Sequence, residues 1–230
     1  MSNLIKLGTD YGGWILPKNC NLNENSIIYS GGVGEDISFD LLLSSKYNCN
    51  ILLIDPTKKS IIHFEEVKKY FNKKNLFTGN IQTDYYKTIS NIHPNLNKFA
   101  YENVGLWHEE TRLKFFKQLN KNHVSQSIIE NMFGKEYDII NVNTIKSIMK
   151  KYNHQKIDLL KLDIEGAEIN VLNNMLDDNI LPLYLCIEFD LKLKNKDYDN
   201  KTLKIIRRLI NKGYKILVND NLNITFQLTT

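Results

Sequence analysis

Ile157-Asp158-Leu159-Leu160-Lys161-Leu162-Asp163-Ile164-Glu165-Gly166-Ala167-Glu168 is an apolar run that ends in three closely spaced carboxylates, and a glycine then opens what reads as a helix. The apolar half has the length and composition of a buried strand, so the acidic half is a strand-to-helix junction. Open α/β sheets bind their ligands at such junctions. Charged groups gathered there make a poor core and a good site.

The same strand–helix unit recurs along the chain. Residues 26–30 read as a short buried strand leading into Gly31-Gly32-Val33-Gly34, and 37–45 as a helix with Phe39, Leu42 and Leu43 inward. Residues 51–54 form a second strand, stopped at Asp55-Pro56 because proline cannot donate to a ladder. Ser60 is placed to cap a helix over 61–71 in which Ile62, Val67 and Tyr70 share a face. Residues 99–107 read as a third strand, with 111–119 as a β extension paired to it. A helix is expected from about Thr144 to Tyr152, then the 157–163 strand, then a helix turning Ala167, Val171, Leu172 and Met175 inward. Residues 183–187 give another strand that ends at Glu188-Phe189-Asp190. A helix over 201–212 carries Leu203, Ile206, Leu209 and Ile210 as its stripe and stops at Gly213. Residues 214–218 and 224–228 flank Asn219-Asp220-Asn221 as a terminal hairpin. Repeated strand–helix units predict a doubly wound α/β domain, with a mostly parallel sheet and an antiparallel edge strand from the hairpin.

The 230 residues suit one domain spanning 1–230, its first 25 residues packing on or near the site. With 42% hydrophobic and 24% charged residues the composition is globular, and no apolar run approaches a membrane span. The N-terminus lacks a signal-peptide layout. Cys20, Cys49 and Cys186 are far apart with no CxxC pair, which fits reduced thiols in a cytoplasmic setting. A net charge of +4 on scattered lysines gives no argument for nucleic acid.

Gly31, Gly32 and Gly34 directly follow the first strand, where glycine permits a tight turn and the close approach of a ligand. The full GxGxxG spacing is absent, because position 37 is Ile. Glu35 and Asp36 suit a helix N-terminus but would repel a pyrophosphate. A ligand with a cationic end fits better, and S-adenosylmethionine carries an ammonium and a sulfonium. Asp55 ends the second strand about 20 residues on, where a carboxylate can accept bonds from ribose hydroxyls, or simply form an Asp-Pro turn. Asp163, Glu165 and Glu168 close one strand, and Glu188 and Asp190 close the next. Such acids can accept a hydroxyl proton or hold Mg²⁺ through oxygen ligands, with Asp163 and Glu188 the first candidates. Glu165 and Glu168 either orient substrate or start the helix. His108 and His123 are candidate general bases. Trp14 and Tyr11 either cover the ligand or staple the N-terminal segment to the core.

Three stretches resemble the FkbM-type S-adenosylmethionine-dependent methyltransferases. They are Tyr11-Gly12-Gly13-Trp14 with Gly32-Val33-Gly34-Glu35-Asp36-Ile37-Ser38-Phe39, then Asp55-Pro56-Thr57, and most specifically Asp158 to Glu168. Weaker echoes are Val104-Gly105-Leu106-Trp107, His123-Val124-Ser125-Gln126-Ser127 and Glu188-Phe189. Many members place glycine where Asp36 stands, so this chain resembles one branch of the family. The resemblance implies a Rossmann-like, seven-stranded class I methyltransferase fold, S-adenosylmethionine as cofactor, and O-methylation, often of a sugar hydroxyl. The expected partner is therefore a small-molecule acceptor, a sugar or glycan. The readings set against it are a protein, lipid or nucleic-acid methyltransferase and a non-catalytic binding module. Residues 72–97 and 120–141 are expected to recognise the acceptor, since loops on a rigid scaffold often set specificity.

Overall fold

The central strands are apolar along nearly their whole length, as they must be when helices cover both faces of a parallel sheet. The structure is a computed structural model that describes residues 3–73, 76–78, 81–117, 126–128, 135–191 and 196–229. An N-terminal hairpin, β1 (Leu4–Leu7) and β2 (Trp14–Pro17), precedes β3 (Ile27–Gly31), α1 (Ser38–Tyr47), β4 (Asn50–Ile54), α2 (Lys58–Lys73), α3 (Tyr85–Ile89) and β5 (Phe99–Glu102). Four further strands follow: β6 (Gly105–Leu106), β7 (Thr111–Lys117), β8 (Gln126–Ser127) and β9 (Tyr137–Asn143). The chain closes with α4 (Ile145–Lys151), β10 (Leu159–Leu162), α5 (Glu168–Asp177), β11 (Tyr184–Glu188), α6 (Lys196–Asn211), β12 (Tyr214–Asp220) and β13 (Asn223–Leu228).

Seven strands form the main sheet in the order β12-β13-β11-β10-β3-β4-β5. Only β13 runs against the others, paired antiparallel to both β11 and β12. The antiparallel strand is thus inserted one place inside the edge, and the edge strand β12 is parallel to the rest. This is the expected Rossmann-like methyltransferase architecture with that one change. Side-chain alternation divides the core. Ile28, Ile51, Leu53 and Leu159 face one side with Phe39 and Val67, while Tyr29, Leu52, Leu160 and Leu185 face the other with Val171 and Leu209. Lys161 lies two residues after Leu159, beside Ser30 and Cys186 in the sheet register, and therefore enters the side that α1 covers.

Several boundaries differ from the sequence pattern for identifiable reasons. The strand expected over 99–107 is two strands in two sheets: β5 ends where the Glu102 carboxylate is buried against Lys151 and Tyr152, and β6 pairs with β9. Likewise β7 pairs with β9 and β8, in a second, four-stranded sheet, and not with β5. Helix α2 begins at Lys58, one turn early, because the Thr57 hydroxyl accepts the Ser60 N–H at 3.3 Å, so Thr57 rather than Ser60 is the cap. On α2, His63 and Phe64 are buried with Val67 and Tyr70, and Ile62 points out. On α6, Thr202, Ile205 and Leu209 are buried while Leu203 and Ile210 are exposed, which rotates the stripe by one position. All three cysteines are free and buried. Among the described residues no helix is long and apolar enough to cross a membrane.

Candidate active site

From β3 the chain builds outward through β4 to β5, then returns to place β10 on the opposite side of β3. The crevice at the carboxyl ends of β3 and β10 is the switch point where ligands bind in such sheets. Two glycines shape it. Gly32 has φ +76°, and a Cβ there would stand 1.6 Å from the Asp163 carbonyl oxygen, so the turn lies hard against the end of β10. Gly34 has φ +56° and open space where its Cβ would be. Beside them lies a cavity of about 350 Å³. Gly32, Gly34, Glu35, Asp36, Asp55, Asp163 and Glu165 line it, and Leu106, Phe115 and Ile140 from the four-stranded sheet, with Ile128 just after β8, supply an apolar wall.

The acids of the turn divide the work. Asp55 is buried, and its Oδ2 accepts the Val33 and Gly34 N–H groups at 2.8 and 3.0 Å. Its Oδ1 accepts the Thr57 N–H at 2.7 Å and the Thr57 hydroxyl at 2.6 Å. Asp36 accepts the Thr9 hydroxyl at 2.5 Å and the Ser38 N–H at 2.9 Å, which latches the tip of the N-terminal hairpin to the start of α1. Glu35 is half-buried, and its Oε2 has no hydrogen-bond partner among the described residues.

At the inner end, Lys161 is buried and donates to the Gly32 carbonyl at 2.5 Å, with Asp163 Oδ2 at 3.4 Å. One cation thus joins the glycine turn to the acidic strand end. Burial works to lower the Lys161 pKa, but the Asp163, Asp40 and Glu188 carboxylates outweigh it and hold the ammonium above its ordinary value. Asp163, Glu188 and Asp190 bring oxygens within 4.8 Å of one another.

The FkbM methyltransferase domain matches residues 20–216, most of the chain. The protein belongs to the FkbM methyltransferase family. Membership of this family implies S-adenosylmethionine as methyl donor. No curated protein matches the chain. A solved structure described as a "putative rRNA-methylase" from Clostridium thermocellum is similar at 10% identity and a TM-score of 0.46, covering 90% of this chain and 89% of that one. A likeness at that level says nothing about the acceptor.

Within this FkbM domain the cavity gathers Gly32, Gly34, Glu35, Asp36, Asp55, Asp163 and Glu165, all singled out from the sequence. Glu188 stands beside Asp163 in the acidic trio. Glu168 is buried, and its Oε1 accepts the Ile164 and Gly166 N–H groups at 3.1 and 3.0 Å, so it closes the β10–α5 turn instead of facing a ligand. Trp14 is buried in the core, and the largely exposed Tyr11 lines the cavity in its place. His108 is exposed, packs edge-on to Trp107 at 4.6 Å, and is not among the residues that line the cavity. His123 lies outside the described residues. Of the two candidate acceptor loops, Gln82, Ile128 and Ile140 reach the cavity. Sequence reasoning missed Asp40, buried on α1 on the Lys161 side of the sheet; its signal is an acid among the inward residues of an apolar helix.

These carboxylates make the fold acid-favouring. Burial pushes Asp40 up to about 6 against the pull of Lys161. Burial also pushes Glu168 to about 7, and burial with the Asp163 charge pushes Glu188 to about 8. Each folded-state value lies above the ordinary carboxylate range, so the folded protein binds more protons and stability falls as pH rises from about 4 to about 8. Melting near pH 5.5 should occur at a higher temperature than near pH 8.5. A midpoint that rises with pH across that window would mean these acids are ionised in the native state.

Proposed function

We propose that the protein transfers a methyl group from S-adenosylmethionine to a hydroxyl of a small polar acceptor, a sugar or glycan, as an O-methyltransferase of EC class 2.1.1. The observation that carries this reading is a glycine turn at the sheet's switch point that opens onto a cavity ending in the Asp163 carboxylate. The cavity residues suit the donor. Gly34 leaves space for it, and Glu35, Asp36, Asp163 and Glu165 outnumber Lys161, so the field favours a cationic ligand. S-adenosylmethionine supplies a methyl group on a sulfonium that departs as a neutral thioether. The protein's share is then positioning and proton handling.

Asp163, steadied by Lys161, accepts the proton of the attacking hydroxyl. Glu188, with its pKa raised to about 8, is mostly protonated near neutrality and can donate a hydrogen bond beside it. The apolar wall formed by Leu106, Phe115, Ile128 and Ile140 excludes water from the other side. The acidic trio also fits a divalent cation such as Mg²⁺, which takes oxygen ligands. Asp163, Glu188 and Asp190 would hold it in place of the Glu188 proton, which the ion would displace, and its charge would acidify the acceptor hydroxyl.

Calorimetric titration tests the reading. The folded protein is expected to bind S-adenosylmethionine saturably, and Mg²⁺ is expected to bind the unmutated protein but not Glu188→Gln. Well-folded protein that binds no donor at millimolar concentration would turn the assignment toward a binding module. Magnesium binding that survives in Glu188→Gln would remove the cation from the acidic trio.

A further inference from the structure

The two edges of the main sheet are unequal. β5, at one edge, has four residues, whereas β12, at the other, has seven and is the longest strand of the sheet. An edge strand presents a row of N–H and C=O groups that have no neighbour, and proteins commonly keep such strands short or charged. β12 carries two charges of opposite sign, Lys215 near its start and Asp220 at its end. Both are exposed, and neither joins an ion pair among the described residues.

Strict alternation would put residues five apart on opposite faces of a strand. In β12 a bulge prevents this. Lys215 lies opposite Gln227 of β13 and Asp220 opposite Asn223, while Leu217 is passed over between Ile216 and Val218. Gln227 and Asn223 are four apart on a strand that keeps regular register with β11, so Lys215 and Asp220 share one face. Ile216 and Asn219 lie opposite Phe226 and Ile224, and they share the other face, where α6 packs.

The exposed edge is therefore self-complementary. A two-fold axis normal to the sheet, between Leu217 and Val218, sets β12 antiparallel to β12 of a second copy. Lys215 then meets the partner's Asp220, Ile216 the partner's Asn219, and Leu217 the partner's Val218. A slip of one residue would set Ile216 against Val218 from the opposite face, so the alternation selects the register. Symmetry makes each of these contacts twice. α6 adds an apolar flank. Arg208 reaches Asn173 and Asp177 on α5, so the opposite flank of α6 is the one toward the β12 edge. Leu203 and Ile210 stand on that flank, roughly 150° round the helix from Arg208. They are 50% and 48% exposed, and Ile216 on the same side of the sheet is 39% exposed.

We propose that the protein is a two-fold dimer in which β12 pairs with β12 of a second copy and joins the two main sheets into one, the Lys215–Asp220 pairs fixing the register. The inference does not depend on the donor or the acceptor.

Sedimentation velocity tests it, and the unmutated protein is expected to be dimeric at micromolar concentration. Lys215→Glu sets like charges opposite one another at both symmetric positions and is expected to weaken the dimer roughly ten-fold. Asp220→Lys should weaken it to a similar extent. The double swap, Lys215→Glu with Asp220→Lys, should restore it, because opposite charges meet again. Far-UV circular dichroism should be the same in all four proteins. Amide hydrogen exchange along β12 should be slower in the unmutated protein than in Lys215→Glu at equal concentration. An unmutated protein that stays monomeric up to near-millimolar concentration overturns the inference. So does a dimer that both single swaps leave intact, which would seat the second copy elsewhere, or a double swap that remains monomeric.

Discussion

Gly32→Ala is expected to destabilise the protein by about 2–5 kcal/mol, summing a left-handed non-glycine residue and an overpacked contact. The contact is severe because the obstacle is backbone. The new Cβ would lie 1.6 Å from the Asp163 carbonyl oxygen and 2.6 Å from its carbonyl carbon. Neither atom can swing aside, because the Asp163 N–H is bonded to the Gly31 carbonyl at 3.1 Å and locks β10 to β3. Relief requires the two central strands to part at the place where the site is built. For a chain of this length the midpoint should fall by roughly 5–15 °C. Gly34→Ala is the matched control. Its φ is also positive, but its Cβ would meet nothing within 4 Å, so only the left-handed penalty of about 1–2 kcal/mol applies. Its methyl would stand at a cavity-lining position, and donor affinity should drop with little loss of stability. Thermal melts and calorimetry on both variants separate the effects. Equal midpoints would show that the strands do not meet as closely as described.

What could be read from the chain follows from where its physics is local. The apolar run ending at Asp163, the glycine turn after β3 and the closing hairpin each carry their signal within a dozen residues, and each lies where the pattern put it. The four-stranded sheet was not legible, because β7 pairs with β9 across about 25 residues, β9 is largely exposed, and β7 buries only the adjacent pair Phe115 and Phe116. Neither shows the clean alternation that marks a half-buried strand. The α6 stripe shifted because its polar first turn, from Lys196, carries no apolar marker of the helix start. The site divides in the same way. Which residue types cluster at the switch point is a matter of strand ends, and that much is visible in the sequence. How Asp55 spends its lone pairs depends on loop closure between Gly34 and Thr57, which no spacing rule encodes. Trp14 and Tyr11 sit three residues apart in one motif, and only the turn between β1 and β2 decides that the tryptophan goes to the core and the tyrosine to the cavity.

Lys161 is the residue whose removal should do most to separate electrostatics from packing. In the sequence a lysine within an apolar strand reads equally as solvated or paired. In the fold it is a buried cation bonded to the Gly32 carbonyl and facing the charges of Asp163, Asp40 and Glu188. Lys161→Met keeps the length and apolar stem and deletes the charge. The carboxylates then remain buried with no counter-ion, and breaking such an arrangement from one side costs about 3–5 kcal/mol, or a midpoint roughly 10 °C lower. The deficit should depend on pH. Without the ammonium, Asp40 and Glu188, already raised to about 6 and about 8, are raised further. A carboxylate with an elevated folded-state pKa loses stability as pH climbs through that value. The variant should therefore fall furthest behind at alkaline pH and recover toward the unmutated protein below about pH 5, where Asp40 and Glu188 are largely protonated in both folded proteins and there is little charge left for the ammonium to offset. Adding Asp40→Asn to Lys161→Met should restore part of the loss, because it removes one of the stranded charges, and the double-mutant cycle would measure their coupling. A deficit of the same size at every pH would assign Lys161 a packing role and leave Asp163 to be oriented by the close contact with Gly32 alone.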